Sequence, residues 1–132
     1  MAVRAQARSG SAAIEFAVIA PICLALAFVV IFLGKIYFDT ETLQAAVERA
    51  GRMIAVTQNV TQSQLQTAIQ SSLAPIGNPT VTVSYSTTTI SGVSVGHLSA
   101  TMTRSYAVPW VTTYNMTYTA DTYLPPSSFS GS

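Results

Sequence analysis

Arg8-Ser9-Gly10-Ser11-Ala12-Ala13-Ile14-Glu15-Phe16 runs directly into an apolar segment that lasts to Gly34. From Phe16 to Gly34 there are 19 residues without a charge, and Glu15 sits at their threshold. About 20 apolar residues span a bilayer as a helix, so the run predicts a membrane-spanning helix. A carboxylate costs about 2.5–3.5 kcal/mol at a bilayer centre and less near an interface. An acid retained in such a place is therefore a functional candidate, and Gly10 stands five positions before it. Arg4 and Arg8 precede the run, while Asp39 and Glu41 follow it. The bias of cationic residues toward the cytoplasmic side predicts a cytoplasmic N-terminus and export of everything after Lys35. Lys35 itself is long enough to snorkel to the far interface.

The helical pattern continues past the apolar run. Leu43, Val47, Ala50 and Ile54 recur at steps of four, three and four, which places them on one helical stripe. Glu48 and Arg52 stand four apart in the favourable order. No proline intervenes between Pro21 and Pro75. The expectation is one helix over residues 11–56, with 11–34 in the membrane and 35–56 amphipathic. It would be roughly 70 Å long at 1.5 Å per residue. The amphipathic part is expected to pack on the exported domain. An alternative reading of the N-terminus is a cleaved signal peptide ending at Ala25-Leu26-Ala27, but Phe28 to Leu33 continue the apolar run beyond that point.

A second, short helix follows. Thr61-Gln62-Ser63-Gln64 fits a capping box, Leu65, Ala68, Ile69 and Leu73 form an apolar face, and Pro75 and Gly77 close it. Three segments then alternate apolar and polar residues, 80–87, 97–108 and 113–123, rich in Val, Tyr and Thr. That period of two predicts half-buried antiparallel strands, with Arg104 interrupting the apolar face of the second. The organisation expected is therefore a basic leader at 1–10, the long helix at 11–56, a small exported α+β domain at 57–126 and a loose Ser- and Gly-rich tail at 127–132. The fold class is α+β, a long N-terminal helix packed with a short helix on a small antiparallel sheet.

Catalytic chemistry has little to work with. Formal net charge is +1 and charged residues make up 8% of the chain, so no field recruits nucleic acid. The single cysteine, Cys23, lies in the apolar run and reads as a small packing residue. Ile22 before it does not fit a lipid-attachment signal. The single histidine, His97, opens a strand-like segment and reads as an exposed or edge residue. Gly92 and Gly96 read as turn glycines, and no phosphate-binding loop is present. No catalytic, metal-binding or cofactor-binding residues are assigned and no cofactor is expected; the chain is not read as an enzyme. From Met53 to Ser132 only Arg104 and Asp121 carry formal charge. A surface so poor in charge favours association.

Cleavage between Gly10 and Ser11 would create an α-amino group one helical turn from Glu15, on the same face. A free α-amino group titrates near 7.7–8.0, so it would be a cation able to pair with Glu15 in its own chain or a neighbour's. Pairing relieves the cost of an isolated carboxylate in lipid. Pro21 cannot donate to the Ala17 carbonyl, which predicts either a kink or a loosened turn, or simply a proline of the kind membrane helices tolerate.

A short basic leader, a glycine, a glutamate five residues on, an aromatic and then a hydrophobic helix is similar to the type IV pilin superfamily. More narrowly, Gly10-Ser11-Ala12-Ala13-Ile14-Glu15-Phe16-Ala17, then Pro21, then Leu43–Ala50 with Ala45-Ala46, and Arg52, resembles the TadE family of pseudopilins of Flp/Tad tight-adherence pili. The resemblance covers roughly residues 8–56. It implies a minor pilin that helps initiate, assemble or cap a Flp pilus involved in surface adherence. It implies processing by an inner-membrane prepilin peptidase at Gly10 and Ser11, and a registration role for Glu15 with Phe16 beside it. The implied partners are that peptidase, other pilins and pseudopilins, the inner-membrane assembly platform and the lipid bilayer. The implied location is the bacterial inner membrane, single-pass, with passage into the extracellular pilus. Ser11 departs from the Phe or Met usual in type IVa pilins. The competing expectation is a stably anchored single-pass protein whose exported domain binds a partner.

Overall fold

The computed structural model describes residues 4–57, 59–108 and 112–125, with side chains described from Ser11 onward. The expected tail at 127–132 lies outside the described residues. The elements in chain order are helix α1 (Arg4–Val56), helix α2 (Gln62–Ser72), a 3-10 turn (Ala74–Ile76), and strands β1 (Val81–Ile90), β2 (Val93–Ala107) and β3 (Thr113–Leu124). The chain divides into two compact units, Met1–Tyr37 and Phe38–Ser132. The result is α+β, as the sequence predicts.

The first unit is helical from Arg4. The expected start was Ser11, but Ala, Gln and Arg are strong helix formers, and they carry the helix through residues 4–8. Its most apolar 18-residue window is long and apolar enough to cross a membrane, and none of that window is buried. Ile14, Phe16, Val18, Ile19, Ile22, Leu24, Leu26, Phe28 and Val29 all lie exposed. Large side chains exposed in this way on every side of a helix suit lipid as the surrounding solvent.

The second unit holds the core. The predicted stripe of Leu43, Val47, Ala50 and Ile54 is fully buried, joined by Ala46. At Gly51 the helix comes so close to β3 that a Cβ would stand 3.2 Å from Thr122 Cγ2 and 3.3 Å from Leu124 Cδ2. The stripe thus lies on the inner face of the sheet, opposite Val81, Val83, Leu98, Ala100, Met102, Tyr106, Tyr118 and Ala120, all buried. The sheet is antiparallel in the order β1-β2-β3, with Val81 opposite Met102, Val83 opposite Ala100, and Ala100 opposite Ala120. Its outer face is mostly Ser and Thr.

α2 begins as predicted. Thr61 accepts from the Gln64 N–H, and the Gln64 side chain accepts from the Thr61 N–H at 3.0 Å. Leu65, Ile69 and Leu73 are buried, and Gly77 terminates the following 3-10 turn at φ 88°. The polar side of α2 does something less expected. Gln62 Nε2 donates to Val83 O at 2.8 Å, Gln66 Nε2 to Val81 O at 3.3 Å, and Gln70 Nε2 to Pro79 O at 2.7 Å. Four helical residues rise about 6 Å and two strand residues about 6.6 Å, so a glutamine every fourth position meets every second carbonyl of the strand edge.

Two strand expectations change. β1 runs on to Ile90 and β2 starts at Val93, because Ser91 and Gly92, at φ 52° and 81°, make a tight two-residue hairpin turn. Gly96 is not a turn glycine: it lies inside β2, where a Cβ would stand 2.8 Å from Tyr85 Cζ. The Tyr85 ring crosses diagonally over it, and glycine is the residue that leaves the room.

Candidate functional site

The residues singled out at the N-terminus all lie on α1. Gly10 and Ser11 are helical, and Ser11 Oγ donates to Glu15 Oε1 at 3.4 Å, one turn away. Ser11, Glu15 and Phe16 are all exposed, Phe16 to 71%. Helical assignment continues on both sides of Pro21. The segment therefore presents a hydroxyl, a carboxylate and an aromatic ring on the outside of an unburied apolar helix. That arrangement suits contact with lipid or with another helix.

A second constellation was not anticipated. Asp39 follows the membrane run, where it read as a flanking acid, yet it is 1% exposed. The Tyr106 hydroxyl donates to Asp39 Oδ2, and Arg104 Nε stands 3.4 Å from the same oxygen. Tyr106 gives its proton to Asp39, so the Tyr118 hydroxyl, 2.7 Å away, is the donor to Tyr106. Arg104 also donates through Nη1 to the Ile76 carbonyl. Arg104 interrupts the apolar alternation of β2 because its charge is used inward. Burial first, and then the bond to the Asp39 carboxylate, push the Tyr106 phenol well above its ordinary value. The cluster joins α1 to the two strands on which Tyr106 and Tyr118 lie, with each polar group partnered. No sequence signal links Asp39 to residues more than sixty positions away, except the out-of-pattern Arg104.

His97 also departs from expectation. It is on the central strand, stacked on Tyr123 at 4.9 Å, with Nε2 3.3 Å from Asp121 Oδ1. Asp121 therefore pairs with His97 and Arg104 with Asp39. Among the described residues, no group of three His, Cys, Asp or Glu side chains is placed to hold a metal ion.

An unburied apolar N-terminal helix, long and apolar enough to cross a membrane and continued by an amphipathic half that packs on a three-stranded antiparallel sheet, suits a single-pass, membrane-anchored protein. The model of the family described as TadE-like protein matches residues 10–52, which takes in Gly10, Ser11, Glu15, Phe16, Pro21 and the buried stripe as far as Ala50. Over that segment, 43 of the 132 residues, the chain is similar to TadE-like proteins. Comparison with curated proteins and with solved structures finds no match.

Proposed function

We propose that this chain is a minor pilin cut by a prepilin peptidase between Gly10 and Ser11. In this reading it is held in the bacterial inner membrane with its N-terminus cytoplasmic and its α+β domain exported, until it enters a Flp/Tad pilus. There it helps to initiate, assemble or cap the filament, meeting other pilins and the inner-membrane platform. The observation that carries the reading is the one-turn spacing of Ser11 and Glu15, 3.4 Å apart on an exposed apolar helix that begins the TadE-like segment. Cleavage turns Ser11 into a cationic terminus within reach of Glu15, in its own chain or in a neighbour's. The new positive charge and the positive end of the helix both favour the carboxylate. A neighbour's Glu15 would then register one subunit against the next.

The test is Glu15→Ala in the native host. Removing a carboxylate favours insertion, so the variant should reach the membrane at the normal level. Pilus assembly should fall sharply, as counted by shear-released filaments. Normal piliation by that variant would remove the registration role.

A further inference from the structure

Within the second unit α1 crosses the inner face of the sheet in one direction. Asp39, at its start, accepts from Tyr106, which is bonded to Tyr118. Gly51, further on, lies against Thr122 and Leu124. β3 runs the same way. Thr113 and Tyr114 at its start, and Ala107 at the end of β2, therefore lie at the end of the sheet where α1 enters this unit. The Ser91-Gly92 turn lies at the opposite end.

Tyr114 shares a strand face with Tyr118 and stands four residues nearer the entry end, about 13 Å at 3.3 Å per residue. Lys35 closes the apolar run four residues before Asp39. Four residues span at most about 14 Å, so chain length alone holds the end of that run within this distance of Asp39. The sheet thus extends past its contact with Asp39 by as much as the chain needs to reach the membrane segment. Among the described residues of this unit, the large apolar side chains exposed at the entry end are Phe38 at 54% and Tyr114 at 59%. Between Arg104 and Asp121 the sequence holds no charge, and Arg104 is paired with the buried Asp39. Ile90, Val93 and Tyr123 are exposed toward the opposite end. Exposure by itself therefore selects no occupant, whereas the path of the chain does. Tyrosine suits a bilayer boundary, where its ring meets acyl chains and its hydroxyl stays hydrated. A charge there would be costly, and the entry end of the strands carries none.

We infer that the entry end of the sheet, presented by Tyr114 with Phe38, rests in the headgroup region of the bilayer from which α1 emerges. The inference rests on the membrane-anchored reading above and extends it to the exported domain. It does not depend on cleavage at Gly10.

The test uses the full-length chain with Trp110→Phe, which removes its single tryptophan. It is reconstituted in phosphatidylethanolamine–phosphatidylglycerol vesicles that contain a lipid brominated high on its acyl chain. Tyr114→Trp should lose severalfold more emission to the bromine than Tyr123→Trp. Both tyrosines are 59% exposed, so the protein itself shields them equally and the difference reads the lipid. Leu26→Trp, within the apolar run, should be strongly quenched. Quenching at Leu26→Trp with none at Tyr114→Trp, or equal quenching at Tyr114→Trp and Tyr123→Trp, would overturn the inference and leave the anchor standing. No quenching at Leu26→Trp would overturn both. A second pair reads the same contrast without an added ring. In a Cys23→Ser background, Tyr114→Cys should react severalfold more slowly than Tyr123→Cys with a membrane-impermeant maleimide, on vesicles whose exported domains face outward. Equal rates would contradict the inference. Slow labelling of Tyr114→Cys without quenching of Tyr114→Trp would mean that protein rather than lipid covers this end, and would also overturn it.

Discussion

Leu26 and Leu43 belong to the same helix, yet Leu26 is 61% exposed and Leu43 is 1% exposed. The first half of α1 is apolar on all sides, and its large apolar side chains lie exposed. The second half is apolar on one stripe and buries that stripe on a sheet. The difference teaches that hydrophobicity alone does not mark a core; its angular distribution does. An all-round distribution needs a solvent that is apolar on all sides, while a stripe needs only one packed surface. The join between the two regimes lies near Asp39, among the described residues the one polar side chain of α1 that the fold buries outright.

That join should show the largest effect on stability. Asp39→Ala leaves the Arg104 guanidinium and the Tyr106 hydroxyl without their shared acceptor. Breaking a buried pair costs about 3–5 kcal/mol. Arg104 retains 22% side-chain exposure, which places the expected loss near the lower end. The loss should be visible in urea titrations of the full chain in micelles, followed by near-ultraviolet circular dichroism of the tyrosines.

The contrast between the halves gives a paired experiment of similar size. Leu43→Ala should lower the stability of the second unit by about 2–5 kcal/mol. Leu26→Ala, the same truncation a few turns earlier, should leave that transition unmoved. Equal effects at the two positions would mean that the first half also packs on protein.

A smaller effect depends on pH. The folded Tyr106 holds its proton more tightly than the ordinary phenol value of about 10. Above that pH the unfolded chain releases the proton first, so the stabilising contribution is complete below pH 10 and declines as pH rises beyond it. Tyr106→Phe should cost about 1–3 kcal/mol at neutral pH by leaving Asp39 short of a donor. It should also flatten the alkaline decline between pH 9 and 12. An unchanged alkaline slope would assign the decline to other groups.

The smallest effect belongs to α2. Thr61→Ala removes the cap that satisfies the Gln64 N–H and should cost about 1 kcal/mol, read as a modest fall in the thermal midpoint.

Much of this was legible from local patterns. The stripe from Leu43 to Ile54, the capping box at Thr61 and the alternation around Val81, Leu98 and Tyr118 are short-range signals with a fixed period, and each produced the expected element. The hairpin tip is not legible because Thr87, Thr88 and Thr89 carry no alternation, so the strand pattern stops before the turn. Asp39 was misread because its position after the membrane run gives it an ordinary explanation, while its partners come from strands far along the chain. Gln62, Gln66 and Gln70 resemble any solvated polar face. Their role depends on a strand edge that exists only after folding. For Ser11 and Glu15, spacing alone predicts the one-turn contact, since one helical turn is set by the backbone, while their role in processing and registration stays a proposal.

The central claim is that the exposed first half of α1 is a processed pilin anchor, and the mature N-terminus tests it most directly. Intact-mass analysis of the protein from native-host membranes should give a chain that begins at Ser11, and Gly10→Leu should retain the full leader. A mature chain that keeps Met1–Gly10 while the peptidase is present would contradict the account.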